Sequence, residues 1–307
     1  MLFLVTGGAG FIGSHIVEAL LRSSHQVRVL DNFSTGKRQN LPDTHSHLEI
    51  LEGNICDVET LSGAMTGVNG VFHEAALVSV PESVEHPELS FEINAKGTFH
   101  VFEAARNAGV RRVVYASSAA VYGESASLPL SETLVPHPVS PYGLDKLYGE
   151  QLGRLYSALY GQEIIPLRYF NVFGPRQDPR SPYSGVISIF ANCLSAGKAP
   201  TIFGDGEQTR DFVYVADVVD ANLKAMFGAY KGFNVFNVAC GRQTSLNQLF
   251  AELQKLTQSS IAPNYAPPRA GDIHHSLADI SSIRRELGYA PAFTLSEGLR
   301  RLINAPA

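Results

Sequence analysis

Apolar and polar positions along the first half of the chain switch between two periods. Leu2–Thr6 is a short apolar run and predicts a strand. From Phe11 to Arg22 the positions Ile12, His15, Ile16, Ala19 and Leu20 recur at helical spacing. Gln26–Leu30 is β-branched and apolar, and Leu48–Leu51, Gly70–His73 and Val110–Ala116 read as further strands. Segments 57–66, 87–108 and 142–160 predict helices. Strands alternating with helices argue for βαβ units and a parallel sheet. Strands that are apolar throughout fit burial on both faces. The expectation is an α/β chain on a doubly wound parallel sheet.

The pattern changes after Arg168. Prolines and glycines cluster from 174 to 206, and helices predicted at 186–197, 215–228, 245–257 and 279–287 are separated by long irregular stretches. Phe233–Ala239 again reads as a buried strand, returning to the main sheet. The expected division is residues 1–165 as one domain and residues 166–307 mostly as a smaller α/β domain interleaved with it.

Composition narrows the chemistry. The 307 residues are 45% hydrophobic and 17% charged, which is ordinary for a globular chain with a real core. A net charge of −5 with both signs interspersed leaves no basic footprint for nucleic acid. No apolar run reaches the length of a membrane span, and the first residues lack the basic region of a signal peptide. Cys56, Cys193 and Cys240 are far apart and the histidines lack ligand spacing, so no metal and no disulfide is expected, and a cytoplasmic location is. The 27 glycines and 17 prolines occur without any low-complexity tract, so they ask for specific turns.

The first such turn is Thr6-Gly7-Gly8-Ala9-Gly10-Phe11-Ile12-Gly13, between the first strand and first helix. Gly7, Gly10 and Gly13 permit a tight turn, backbone approach to a pyrophosphate and close helix packing. The helix N-terminus offers N–H donors and partial positive charge to phosphates. Asp31, 18 residues past Gly13, ends the second strand, where a carboxylate accepts ribose hydroxyls and repels a 2′-phosphate. This favours NAD over NADP, with Lys37 and Arg38 as the counter-argument. Asp57 is expected to cap the helix that follows it and to face the adenine.

Tyr142 and Lys146 stand four apart in a predicted helix and share a face. A phenol titrates near 10, too high for a base at neutral pH, but a neighbouring ammonium and a positive nicotinamide favour phenolate. Ser117 and Ser118 close a predicted strand, where ligands of open α/β sheets bind.

With these residues in view, the chain resembles the extended short-chain dehydrogenase/reductase superfamily and, within it, the nucleotide-sugar 4-epimerases. The segments that carry the resemblance are TGGAGFIG (6–13), DNFSTG (31–36), GNICD (53–57), HEAA (73–76), ASSAAVYG (116–123), SPYGLDK (140–146), RYFNVFGPRQ (168–177), GDGEQTRDFVYVADV (204–218) and RAGD (269–272). The resemblance implies a Rossmann domain and a C-terminal substrate domain. It implies that Ser118, Tyr142 and Lys146 are the catalytic hydroxyl, base and lysine. Cofactor contacts are implied from Gly7, Gly10, Phe11, Ile12 and Gly13, then from Asp31, Asn32, Ser34, Thr35 and Gly36. Further ones are implied from Ile55, Asp57, Ala75 and Ala76, and from Asn94, Lys146 and Tyr169. Asn171, Arg210 and Arg269 are the implied diphosphate contacts, and Asp272 the carboxylate near the nucleotide's ribose or base.

The implied reaction is reversible C4 epimerisation of a UDP-hexose through a 4-keto sugar, with NAD regenerated each turnover. Related 4,6-dehydratases carry an Asp-Glu pair after the catalytic hydroxyl residue, and decarboxylases usually a Glu two before the Tyr of VYG. Here those positions are Ala119 and Ala120. Ser276, seven after Arg269, is small where a bulky residue restricts the sugar pocket, and Ser79 matches a polar pocket position. Together they point to UDP-GlcNAc and UDP-GalNAc, with UDP-glucose and UDP-galactose also open. A UDP-glucuronate 4-epimerase and a net NADP-dependent reductase are the alternatives. Relatives commonly dimerise through a four-helix bundle. In this chain helices 87–108 and 142–160, with Phe99, Val101, Phe102, Leu152, Leu155 and Leu159, are its candidates.

Overall fold

The computed structural model describes residues 1–125, 127–178, 185–268 and 273–305. In chain order the first half comprises β1 (Leu2–Thr6), α1 (Phe11–Arg22), β2 (Gln26–Asp31), β3 (Leu48–Glu52), α2 (Val58–Ala64) and β4 (Gly70–His73). Then come α3 (Val80–Glu85), α4 (Pro87–Ser90), a π-helical turn (Phe91–Lys96), α5 (Gly97–Asn107), β5 (Arg112–Ser118), α6 (Pro141–Tyr160) and β6 (Glu163–Tyr169). The second half carries β7 (Asn171–Phe173), α7 (Val186–Ser195), β8 (Thr201–Phe203), β9 (Thr209–Arg210), β10 (Phe212–Tyr214) and α8 (Val215–Phe227). It ends with β11 (Phe236–Val238), β12 (Thr244–Ser245), α9 (Leu246–Thr257), β13 (Asn264–Ala266), α10 (Ser281–Leu287) and α11 (Leu295–Ile303).

Seven parallel strands form the main sheet in the order β11-β6-β5-β4-β1-β2-β3. The chain starts mid-sheet, winds outward to β3, then crosses back, so strand order reverses between β1 and β4. That reversal opens a crevice at the carboxyl ends of these two strands. Successive β1 residues feed opposite cores: Phe3 and Val5 pack with Ile16, Val17 and Leu20 of α1, and Leu4 packs with Leu61, Phe102 and Tyr156. Both faces of the strand are thus apolar, which explains the missing polar alternation.

Strand β6 is absent from the apolar pattern reading, because Glu163, Pro166 and Arg168 interrupt it. It is nonetheless wholly buried between β5 and β11. Pro166 is tolerated because β11 begins its pairing only at Leu167. The expected helix 87–108 is broken into α4, the π-turn and α5. Asn94 causes the local widening to be useful: its side chain accepts from Leu77 N at 2.8 Å and donates to Leu77 O at 3.0 Å, tying the turn to the segment after β4. The α3 and α11 helices also lie outside the predicted set.

In the second half, Phe173, Phe190, Tyr214, Leu249 and Leu299 build a separate core. Small sheets pair β10 with β7, β12 with β9 and β13 with β8. No helix among the described residues is long and apolar enough to cross a membrane.

Candidate functional site

The crevice is built first by glycine. Gly7 has φ +66°, and a Cβ there would lie 2.7 Å from Ala75 N, so the loop after β1 presses on the end of β4. A Cβ on Gly13 would lie 2.2 Å from Gly7 O. Helix α1 therefore starts against the loop with Gly10 as its N-cap, and no described side chain caps it. Its first-turn amides are left for a ligand, the arrangement that receives a diphosphate. Asp31 is buried at the end of β2, accepting from Ala9 N at 2.9 Å and Phe33 N at 2.8 Å. Its oxygens retain lone pairs for ribose hydroxyls. A loop closed to side chains, open helix amides and a carboxylate at the strand end fit the pyrophosphate and adenosine ribose of NAD.

Around this pocket, Ile55 is buried, Phe11, Ile12, Ala75 and Ala76 are half-buried, and Asn32 turns its amide oxygen to Ser34 N and Oγ. Gly36 lies against the Asp31 carboxylate, where a Cβ would approach its oxygens to 2.8 and 2.9 Å. Thr35 lies between them in the turn. Asp57 is the expected N-cap of α2, accepting from Glu59 N and Thr60 N, and is exposed. Asn94 spends both polar ends on Leu77 and Ser90, so it braces the site from behind.

At the ends of β5 and β6 the candidate chemistry converges. Ser118 ends β5 and receives Ala120 N at 3.1 Å. Ser140 and Pro141 start α6, which places Tyr142 and Lys146 on its buried face. Ser83 Oγ accepts from Tyr142 N at 3.2 Å and so ties the first turn of α6 to α3. Lys146 Nζ donates to Ala116 O at 2.7 Å and sits 5.8 Å from the Tyr142 ring centroid. Burial pushes the Lys146 ammonium down to about 8, against the pull of the Glu74 and Asp145 carboxylates.

Opposing influences act on the Tyr142 phenol. Burial raises its phenol above the ordinary value, the Ser118 hydroxyl opposes this, and the Glu74 charge adds to it. Among the chain's own groups, desolvation of the phenolate outweighs the lowering by Ser118.

Glu74 is the residue that sequence reasoning passed over. It stands between His73 and Ala75 in a quoted motif, and an acid directly after a buried strand is the signal that was there to read. Tyr169 Oη donates to Glu74 Oε1 at 2.8 Å and receives Asn222 Nδ2 at 2.8 Å. Burial pushes the Glu74 carboxyl from 4.5 up to about 7, while Tyr169 and Lys146 pull the other way. Between those values the folded chain holds a proton that the unfolded chain releases, so this group's contribution to stability falls as pH rises through the window. Glu74→Gln should flatten the decline in unfolding free energy from pH 5 to 7.5 by ~1–2 kcal/mol; an unchanged pH profile of stability contradicts the shifted carboxyl.

The substrate-side candidates cluster less tightly. Ser79 is buried and caps α3, accepting from Glu82 N. Asn171 opens β7 and donates its N–H to Asp211 O. Arg210 Nη1 donates to Thr209 O, and Ser276 N reaches the same carbonyl at 3.1 Å, so these two residues are brought together. Ser276 is buried and far from the α10 N-cap, which is Ile280. Arg269 and Asp272 lie outside the described residues. Asp211 is no surface partner of Arg210: wholly buried, it accepts from Cys240 N, Gly241 N and Ala278 N and thereby pins the 240–241 and 278 segments. Burial pushes its carboxyl up to about 6.

The model of the NAD dependent epimerase/dehydratase family matches residues 3–239. A UDP-N-acetylglucosamine 4-epimerase of Methanobrevibacter ruminantium, solved with UDP-N-acetylmuramic acid, is 40% identical with a TM-score of 0.94, covering 98% of this chain and 96% of its own. A UDP-glucose 4-epimerase of Thermotoga maritima, solved with UDP-glucose, is likewise 40% identical with a TM-score of 0.94, over 99% and 97%. The UDP-glucose 4-epimerase of Thermus thermophilus in complex with NAD is 37% identical with a TM-score of 0.90, over 99% and 98%.

Proposed function

The chain belongs to the NAD dependent epimerase/dehydratase family, and on that premise we propose that it is an NAD-dependent UDP-sugar 4-epimerase. The observation that carries the reading is the meeting of Ser118, Tyr142 and Lys146 at the sheet's carboxyl edge, with Ala119 and Ala120 in the turn that follows Ser118. An elimination needs an additional acid and base; that turn has neither, which leaves oxidation and reduction at one carbon.

Bound NAD supplies the hydride acceptor and donor for C4 and, in its oxidised form, a positive ring charge that favours the Tyr142 phenolate. The glycine loop and Asp31 would hold it. Tyr142 takes the proton from the 4-hydroxyl and later returns it to the oxygen on the other face of the sugar. Ser118 donates a hydrogen bond to that oxygen, which strengthens as negative charge develops there. Lys146 holds the ribose side and places a cation behind the phenol. Arg210, Asn171 and Arg269 grip the diphosphate, a task suited to guanidinium forks, and Asp272 contacts the nucleoside. The test is turnover of UDP-sugars by purified protein without added NAD(P)H, with about one NAD released per chain on denaturation. A requirement for external NADPH would identify the reductase alternative instead.

For the sugar, Ser276 supports UDP-GlcNAc/UDP-GalNAc. The two relatives at equal identity were solved with different sugars, so likeness alone favours neither. Ser276 is buried beside Thr209 and Arg210 and is small where a larger side chain would fill the pocket. Ser276→Tyr should lower kcat/KM for the acetamido pair about 100-fold and leave UDP-glucose within a few-fold, matching the 1–3 kcal/mol of a pocket-size change. Equal losses for both sugars, measured by coupled assay, would remove Ser276 from this role.

A homodimer through helices is also proposed, with its face revised. Val101 and Phe102 are in the core and Leu152 packs on it. Leu144, Tyr148, Leu155 and Leu159 form an exposed stripe on α6, and Val84, Phe91 and Phe99 are exposed on the neighbouring α3–α5 segment. Burying such a patch is a reason to pair. Leu155→Glu with Leu159→Glu should convert a sedimenting dimer to monomer; a wild-type monomer at micromolar concentration would sink the proposal.

A further inference from the structure

Lys37 and Arg38 follow the turn that carries Asp31, and a pair of cations there is what a 2′-phosphate would seek. The structure commits both elsewhere. Arg38 donates from Nη1 to Leu41 O and Pro42 O at 3.3 and 3.1 Å, and from Nη2 to Asp43 O at 3.2 Å, closing its own loop. Lys37 Nζ donates to Asp178 Oδ2 at 2.7 Å.

Asp178 arrives from 141 residues away in sequence. The segment after β7 is brought across α1 by a series of contacts. His15 Nε2 donates to Pro175 O at 3.0 Å. Arg176, at φ +69°, donates to Ser14 Oγ and to Glu18 Oε2. These place the Asp178 carboxylate at the edge of the turn. Meanwhile Lys37 is held close to Asp31 by its backbone: its N–H donates to Ala9 O at 2.9 Å, Ala9 N donates to Asp31, and Gly36 touches the Asp31 carboxylate. An ammonium whose Cα is one residue from that contact could swing to the ribose edge if it were not paired.

We infer that Asp178 is a cofactor-specificity residue that acts by positioning Lys37, pairing its ammonium so that the adenosine ribose meets the Asp31 carboxylate without a neighbouring cation for a 2′-phosphate. The inference rests on NAD occupying the glycine-loop crevice. Two carboxylates, one contacting the turn and one neutralising its lysine, then discriminate together. Asp178 is the one that local sequence around the glycine loop does not reveal.

Both partners are about a third exposed, so the effect is that of a surface ion pair. Asp178→Asn frees Lys37 and also removes a negative charge, and should raise preference for NADP over NAD about fivefold, the factor equivalent to ~1 kcal/mol. The experiment equilibrates purified protein with equal concentrations of NAD and NADP, removes free nucleotide, denatures, and measures the released ratio by chromatography. Asp178→Glu should keep the wild-type ratio, and Lys37→Met in the Asp178→Asn background should return to it. High salt should shrink the Asp178→Asn gain. An unchanged ratio in Asp178→Asn, or a gain that survives Lys37→Met, overturns the inference while leaving NAD binding intact. Protein that retains neither nucleotide overturns the NAD reading itself, and this inference with it.

Discussion

Tyr142→Phe should keep its fold and its bound NAD and lose epimerisation by about 10³-fold, within the range for a positioned acid–base group. The change removes one oxygen. The ring stays in its buried site, and the backbone N–H that Ser83 receives is untouched. The phenol is buried, so solvent does not readily take its place. Ser118 remains, but a hydroxyl with no base beside it has no route for the proton. The measurement is kcat with UDP-sugar, alongside the melting temperature and the NAD released on denaturation. A variant with kcat within tenfold of wild type, NAD still bound, would refute the assignment of Tyr142 as the base. Loss of NAD as well would mean that the substitution disturbed the pocket.

The largest expected effect on stability is at Glu150. Its carboxylate receives Arg168 Nε at 2.9 Å and Nη2 at 2.7 Å, and the Ser117 hydroxyl at 2.5 Å. Arg168 is only 3% exposed and Glu150 1%. The guanidinium also lies 4.6 Å from the centre of the Tyr122 ring, whose hydroxyl donates to Asn237 on β11. The group thus joins α6, β5, β6 and β11 beneath the catalytic ends of the strands. Glu150→Ala leaves a buried guanidinium without its counter-ion, which costs about 3–5 kcal/mol. For a chain of this size that corresponds to a melting temperature about 5–8 °C lower. Replacing both partners by Met should recover most of the loss, since the charge is then gone along with its partner. A single-variant loss under ~1 kcal/mol would mean that water reaches Arg168 and that the pair is weaker than its burial implies.

How legible each feature was follows from how local its cause is. The glycine loop, Asp31 and the strands and helices of the first half depend on residues within a turn or two, so period and glycine spacing revealed them. Tyr142 and Lys146 share a helix face by spacing alone. By contrast, β6 carries Glu163, Pro166 and Arg168, which look like loop residues until their partners are known: Arg112 for Glu163, the short β11 for Pro166 and Glu150 for Arg168. The single helix expected over 87–108 ignored the pull of Leu77 on Asn94. Val101 and Phe102 looked like dimer-face residues because an apolar stripe does not say whether a sheet or a second chain will cover it.

The amino-acid sequence by itself determined the doubly wound sheet, the glycine loop and the shared helix face of Tyr142 and Lys146, because each rests on short-range periodicity or on a backbone conformation that glycine permits; Ser118 as a candidate catalytic hydroxyl came from the resemblance to the epimerases. The tertiary structure alone decided the electrostatics. Glu74 becomes a carboxyl pushed up to about 7 only where burial outweighs the opposing pull of Tyr169 and Lys146. Asp211 becomes a backbone clamp only where the 240 and 278 segments arrive. Lys37 turns toward Asp178 only when the segment after β7, 141 residues later, folds back over α1. Desolvation and ion pairing depend on which groups are near in space, and no pattern along one segment of chain encodes that.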